Sequence, residues 1–114
     1  MATLFEKIIA GEIPATIVHR DDRVIAFRNI SPQAPVHVLI VPKKHLADVL
    51  DVGRDDASIF MDLFQAVQHI APQLGIAGSG FRTVFNSGDA ACQTIYHVHL
   101  HLLGGTQMGG SMVG

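Results

Sequence analysis

The stretch His97-Val98-His99-Leu100-His101-Leu102-Leu103 alternates histidine with aliphatic residues. Period-two alternation is the pattern of a strand with one packed face and one available face. It predicts that Val98, Leu100 and Leu102 enter a core while His97, His99 and His101 share the opposite side. Three imidazoles on one face all need partners, and that requirement marks a site rather than an accident of packing.

The remainder of the chain must supply a sheet for this strand. At 114 residues, 48% hydrophobic and 16% charged, the sequence predicts one domain over residues 1–114 with a real core. Eight Lys and Arg against ten Asp and Glu give a net charge of -2 without a basic run, a balance that points away from nucleic-acid polymers and membrane surfaces. The single cysteine, Cys92, has no partner for an internal disulfide. Glu6 and Lys7 interrupt the apolar residues of the N-terminal stretch, so no signal peptide is expected there, and no apolar run reaches membrane-spanning length. The expected location is cytoplasmic.

In chain order, Thr3-Leu4-Phe5-Glu6 fits a capping box opening a short helix that Gly11 stops. Thr16-Ile17-Val18-His19 and Val24-Ile25-Ala26-Phe27 read as a hairpin turning at Asp21-Asp22. Ser31-Pro32-Gln33-Ala34-Pro35 is a rigid connection into Val36-His37-Val38-Leu39-Ile40-Val41, a central strand expected to end at Pro42. Taken alone, His37 reads as a buried, satisfied histidine. Lys43-Lys44-His45 reads as a solvated basic corner that could also face an anion. From Asp55, apolar residues at spacings of three and four predict the long helix, with all of them in the core, His69 at the surface, and Pro72 kinking or shortening the last turn. Phe81 to Asn86 alternates as a further strand.

Between that strand and the histidines lies Ser87-Gly88-Asp89-Ala90-Ala91-Cys92-Gln93-Thr94. Small residues let backbone N–H groups approach an anion, and Asn86, Ser87, Gln93 and Thr94 add side-chain donors. Any hairpin loop has a similar composition; its place beside three imidazoles is what suggests a phosphate-sized ligand. A metal reading asks three nitrogens to sit about 2 Å from one zinc, yet the outer two arise roughly 13 Å apart along a strand, with no acidic fourth ligand in the stretch. The other chemistry is a neutral imidazole attacking phosphorus while its neighbours donate hydrogen bonds.

These residues together resemble the histidine triad superfamily, and the whole chain is similar to its Hint branch, the nucleoside phosphoramidases. The resemblance rests on the 97–103 motif, Lys7-Ile8-Ile9, Gly11-Glu12-Ile13-Pro14, Ile30-Ser31-Pro32-Gln33-Ala34-Pro35, Pro42-Lys43-Lys44-His45 and Gly104-Gly105. It implies an α+β fold with a five-stranded antiparallel sheet, one long and one short helix, and a homodimer with continuous sheets. It also implies hydrolysis of purine nucleoside phosphoramidates of the AMP type; no cofactor is expected, and the strand geometry leads to no expected metal. By the same resemblance His99 is the nucleophile, His101 and His37 contact the phosphate or handle the leaving-group proton, and His97 orients its neighbours. Asn86 and Cys92, Gln93 and Thr94 would hold the phosphate, Asn29 and Ile30 the ribose and base. Leu4, Phe5, Ile8 and Phe27 would line the base pocket. Dinucleoside polyphosphate hydrolysis on the same histidines, or a non-catalytic purine-nucleotide or zinc-binding module, are the alternatives. The chain departs from the branch at Asn29, where Asp is usual, at Thr94, where Ser is usual, and in a tail from Gln107 that lacks a Trp-Pro ending.

Overall fold

The computed structural model describes residues 2–110; the last four residues of the atypical tail lie outside the described residues. The element order is α1 (Leu4–Ile9), β1 (Ile17–Arg20), β2 (Val24–Arg28), β3 (Val36–Pro42), α2 (Ser58–Gln73), β4 (Phe81–Val84) and β5 (Leu100–Gly104), with three short 3-10 turns. All five strands form one antiparallel sheet in the order β1-β2-β3-β5-β4.

Strand alternation divides the sheet into two faces. Val24, Ala26, Val38, Ile40, Leu100 and Leu102 pack under α2 through Ile59, Leu63, Ala66, Val67 and Ile70, making the main core. Ile25, Phe27, Leu39 and Val41 occupy the other face beneath Phe5 and Ile8 of α1. The capping box of α1 is formed in both directions: Glu6 N–H donates to the Thr3 hydroxyl and Thr3 N–H donates to the Glu6 carboxylate. Gly11, at φ 78°, lets the chain reverse after this helix. Gly104 sits where a Cβ would meet Ile76 at 2.9 Å, so the end of β5 can press against the chain leaving α2.

Several expectations are corrected in detail. The histidine motif is not one continuous strand: β5 begins at Leu100, and His97 to His99 approach it as irregular chain. The cause is local bonding, because Val98 N–H turns aside to donate to Leu46 O at 2.6 Å. The helix starts at Ser58 rather than Asp55, after a 3-10 turn over Arg54–Asp56. Pro72 is accommodated inside α2, which continues to Gln73. The apolar residues of its three-and-four spacing are not all core, since Phe64 is 39% exposed; Met61, outside the spacing, is also exposed. Lys44 is paired with Asp56 at 2.5 Å rather than simply solvated. The long helix and the described chain as a whole contain no helix long and apolar enough to cross a membrane.

Candidate functional site

The register of the sheet assembles the site. Leu39 lies directly opposite His101, and His37 opposite Leu103, so the side chains of residues 37, 39 and 101 emerge on the α1 face of the central pair β3 and β5. Against this face α1 and the loops leave a cleft of about 300 Å³. Its apolar wall is Leu4, Phe5, Ile8, Phe27 and Leu39; its polar end is Asn29, Thr94, His99 and His101. Phe5 stands edge-on to His99 with ring centroids 4.9 Å apart, fixing that imidazole against the apolar wall. Ile30 is at the rim and almost fully exposed.

Hydrogen bonds determine where each imidazole carries its proton. His99 Nδ1 lies 2.8 Å from His97 O, and a carbonyl only accepts, so His99 holds its proton on Nδ1 and presents the Nε2 lone pair. His97 Nε2 lies 2.7 Å from Pro42 O by the same logic, which ties the approach to β5 to the end of β3. Gln33 N–H donates to His37 Nδ1 at 3.0 Å, so the His37 proton is on Nε2 and is donated to His101 Nδ1 at 2.9 Å. His101 therefore keeps its own proton on Nε2. Asn86 Nδ2 lies 3.5 Å from that atom, so two N–H donors stand side by side, although Asn86 itself does not line the cleft. Adjacent donors of this kind suit a phosphoryl oxygen.

Burial keeps this cluster neutral. It pushes the imidazolium of His37, His97 and His99 below the ordinary histidine range, against the help that a backbone carbonyl gives His97 and His99. His101 is pushed down to about 4 by burial first, then by His99 and His37 beside it. A buried neutral imidazole with a free Nε2 is a competent nucleophile at neutral pH.

The expected residues separate into groups. Leu4, Phe5, Ile8, Phe27, Asn29, Ile30, Thr94, His99 and His101 line the cleft. His37 does not line the cleft; it stands behind His101, with its Nε2 2.9 Å from His101 Nδ1. His97 is fully buried, outside the cleft, and its Nδ1 has no partner; its ring instead stacks on His45 at 5.0 Å. Gln93 is turned inward: its Oε1 accepts from Gly88 N–H, and its amide donates to Ala47 O and Ile95 O. Its side chain braces the loop and offers no donor to a ligand. Cys92 is exposed, in a left-handed conformation at φ 64°, and does not line the cleft. Ile13, Pro14, Ala15, Arg28, Leu39 and Ile95 also line the cleft without having been expected there. Of these, Leu39 was detectable, since it lies two residues from His37 and so shares its face. Among the described residues no three His, Cys, Asp or Glu side chains are placed to share a metal ion. The ring nitrogens explain this, because each histidine of the motif turns one of them to a separate partner.

A five-stranded antiparallel sheet with a histidine cluster at the polar end of an apolar cleft places the chain among small α+β proteins with a single helix-covered sheet. The family profile described as HIT domain matches residues 10–108, and the chain belongs to the histidine triad superfamily, in its Hint branch. It is 45% identical to the Arabidopsis thaliana protein named adenylylsulfatase HINT1 over 108 residues, 93% of this chain and 73% of that one. It is 44% identical to a 14 kDa zinc-binding protein of Brassica juncea, covering 93% of this chain and 95% of that one. The solved structure of a HIT family hydrolase from Clostridium thermocellum superposes with a TM-score of 0.95 at 48% identity, covering 97% and 96% of the two chains.

Proposed function

We propose that the chain is a nucleotide hydrolase that cleaves the P–N bond of purine nucleoside 5′-phosphoramidates. The observation that carries this reading is the free Nε2 lone pair of His99, fixed by the Nδ1 bond to His97 O, on a ring that lines the apolar cleft together with His101, whose Nε2 lies beside the Asn86 amide. The hydrolase named among the solved relatives and the adenylylsulfatase named among the sequence relatives support the reaction class. The base would lie between Phe5, Phe27 and Leu39, and the phosphoryl group would meet His101 Nε2–H, Asn86 and the Thr94 hydroxyl.

In the first step His99 Nε2 attacks phosphorus, the P–N bond breaks, and the departing nitrogen takes up a proton entering through the cleft mouth. The positive charge that develops on the His99 ring is stabilised through Nδ1–H and the His97 carbonyl. In the second step water attacks the same phosphorus, the His99–phosphorus bond breaks, and the water gives up a proton. The two steps sum to addition of one water across the P–N bond. The protein would work as a homodimer, a reading supported by the exposure of Met61 and of Phe64 on α2, the latter edge-on to the Phe85 ring. The expected location remains the cytoplasm.

The test is release of amine and AMP from an adenosine phosphoramidate in excess chelator, run beside a diadenosine polyphosphate. Wild type should turn over the first in chelator, and His99→Ala should abolish turnover while still binding AMP. Protein quenched during turnover should carry an adenylate on His99. An active His99→Ala variant, an adenylate on another residue, or activity restored only by zinc would overturn the reading.

A further inference from the structure

The segment between β2 and β3 leaves the cleft wall at Asn29 and Ile30 and leads to His37, and its polar groups are bonded to one another. Asn29 Oδ1, the sole acceptor of that amide, accepts Ser31 N–H at 2.8 Å, closing a turn. The Gln33 side chain donates back to Ser31 O at 3.3 Å, tightening the same turn. The turn aims Gln33 N–H at His37 Nδ1. Asn29 Nδ2 is then left 3.4 Å from His37 Nε2. Both of those nitrogens carry protons, so this contact contributes no bond.

We propose that the Asn29-to-Gln33 turn presets the protons of the histidine site before any ligand binds. Gln33 N–H occupies His37 Nδ1, and Asn29 brings no negative charge to His37 Nε2, so the His37–His101 pair rests with one proton on each Nε2 and the His101 proton directed into the cleft. The alternative placements fail on donor counting. A proton on His37 Nδ1 would meet Gln33 N–H head on, and a proton on His101 Nδ1 would meet His37 Nε2–H. Flipping the Asn29 amide would set its NH2 against Ser31 N–H. A second consequence follows. His37 cannot relay a proton onwards, because its far nitrogen is closed by a backbone donor, so protons enter and leave His101 only from the cleft side.

The uncharged amide matters because nothing else nearby would hold a cation. The charged or titratable groups around the pair are His99, whose ring centroid is 5.0 Å from that of His101, and Arg28 at the end of β2, which lines the same cleft. Asn86 from the loop after β4 and Leu39 from β3 are uncharged. Among the described residues no carboxylate pairs with either ring. A carboxylate at residue 29 would be the first, within range of His37 Nε2.

The inference deepens the reading of the same site, and its test observes imidazole protons directly, so either can fail while the other stands. Long-range proton–nitrogen NMR on the ligand-free protein, assigned with His37→Asn and His101→Asn, should find His37 and His101 as neutral Nε2–H tautomers at pH 7. In Asn29→Asp the acid titration of the pair should move up by about one to three pH units. Asn29→Ala opens the turn without adding charge; its His37 signal should lose the single-tautomer pattern while the titration stays low. His101 found with its proton on Nδ1, or charged at pH 7, overturns the preset. An unmoved titration in a folded Asn29→Asp variant removes Asn29 from it. Should that variant not fold, the wild-type tautomers alone decide the Gln33 part and Asn29→Ala decides the Asn29 part.

Discussion

Asn29 is where a single functional group changes what the cleft can offer. Its one amide oxygen is committed to Ser31 N–H, so the side chain faces the cleft with donors only. A carboxylate would keep one oxygen for Ser31 and have the other free for a ribose hydroxyl, and charge-assisted hydrogen bonds contribute about 1.5–3 kcal/mol against about 0.5–1.5 for neutral ones. Discrimination against 2′-deoxy phosphoramidates should therefore be modest in this protein and stronger in Asn29→Asp, by about 1 kcal/mol or roughly five-fold in kcat/KM. Measuring both substrates with both proteins tests this; a ratio that stays constant means the residue serves the turn alone. The sequence placed His99 and His101 in the cleft because alternation is a property of side chains. It could not assign their protons, which depend on His97 O and Gln33 N–H, backbone groups that carry no residue signal. Nor could it show that Gln93 points inward, since the direction of a loop side chain is decided by how the loop closes.

Among the elements, α2 was the most legible and also the one most overinterpreted. Spacings of three and four located it to within a few residues, but periodicity reports an apolar stripe without saying what covers it. Ile59, Leu63 and Ile70 meet the sheet, whereas Met61 and Phe64 meet solvent within one chain. If that face joins two copies, a symmetric interface removes two Phe64 side chains from water, one from each protomer. Each is 39% exposed beforehand, so at roughly 1.5–3 kcal/mol for burial from full exposure Phe64→Glu should forfeit about 1–2.5 kcal/mol, roughly sevenfold to fiftyfold in the dimer dissociation constant. Sedimentation velocity on both proteins checks it. A wild type that sediments as a monomer, or a variant that remains as dimeric as wild type, would remove α2 from the interface. The histidine motif shows the opposite error: its pattern was read as one strand, and the Val98 bond to Leu46 shows that the residues before Leu100 serve a different neighbour.

For the molecule as a whole, four neutral histidines, three of them buried and His101 half-buried, couple folding to pH. Their protonation is suppressed in the folded state and unhindered, near pH 6.5, in the unfolded chain. Between those limits the unfolded state binds more protons, so stability falls as pH falls. It should be fully present above about pH 7 and decline between about 6.5 and 4, with His101 alone contributing on the order of 3 kcal/mol. Denaturant midpoints at pH 7.5 and 5 test the sign; a higher midpoint at pH 5 would contradict it. The fold itself presents a rigid platform for the ligand, and the inward-turned Gln93 shows why. By bonding Gly88, Ala47 and Ile95 at once, it fastens the 86–95 loop to the chain after β3. Immobilising a residue costs about 1–2 kcal/mol in conformational entropy. That cost falls on folding rather than on ligand capture. A nucleotide arriving at this cleft therefore meets donors already in position, and what it must overcome is the stripping of water from its phosphate.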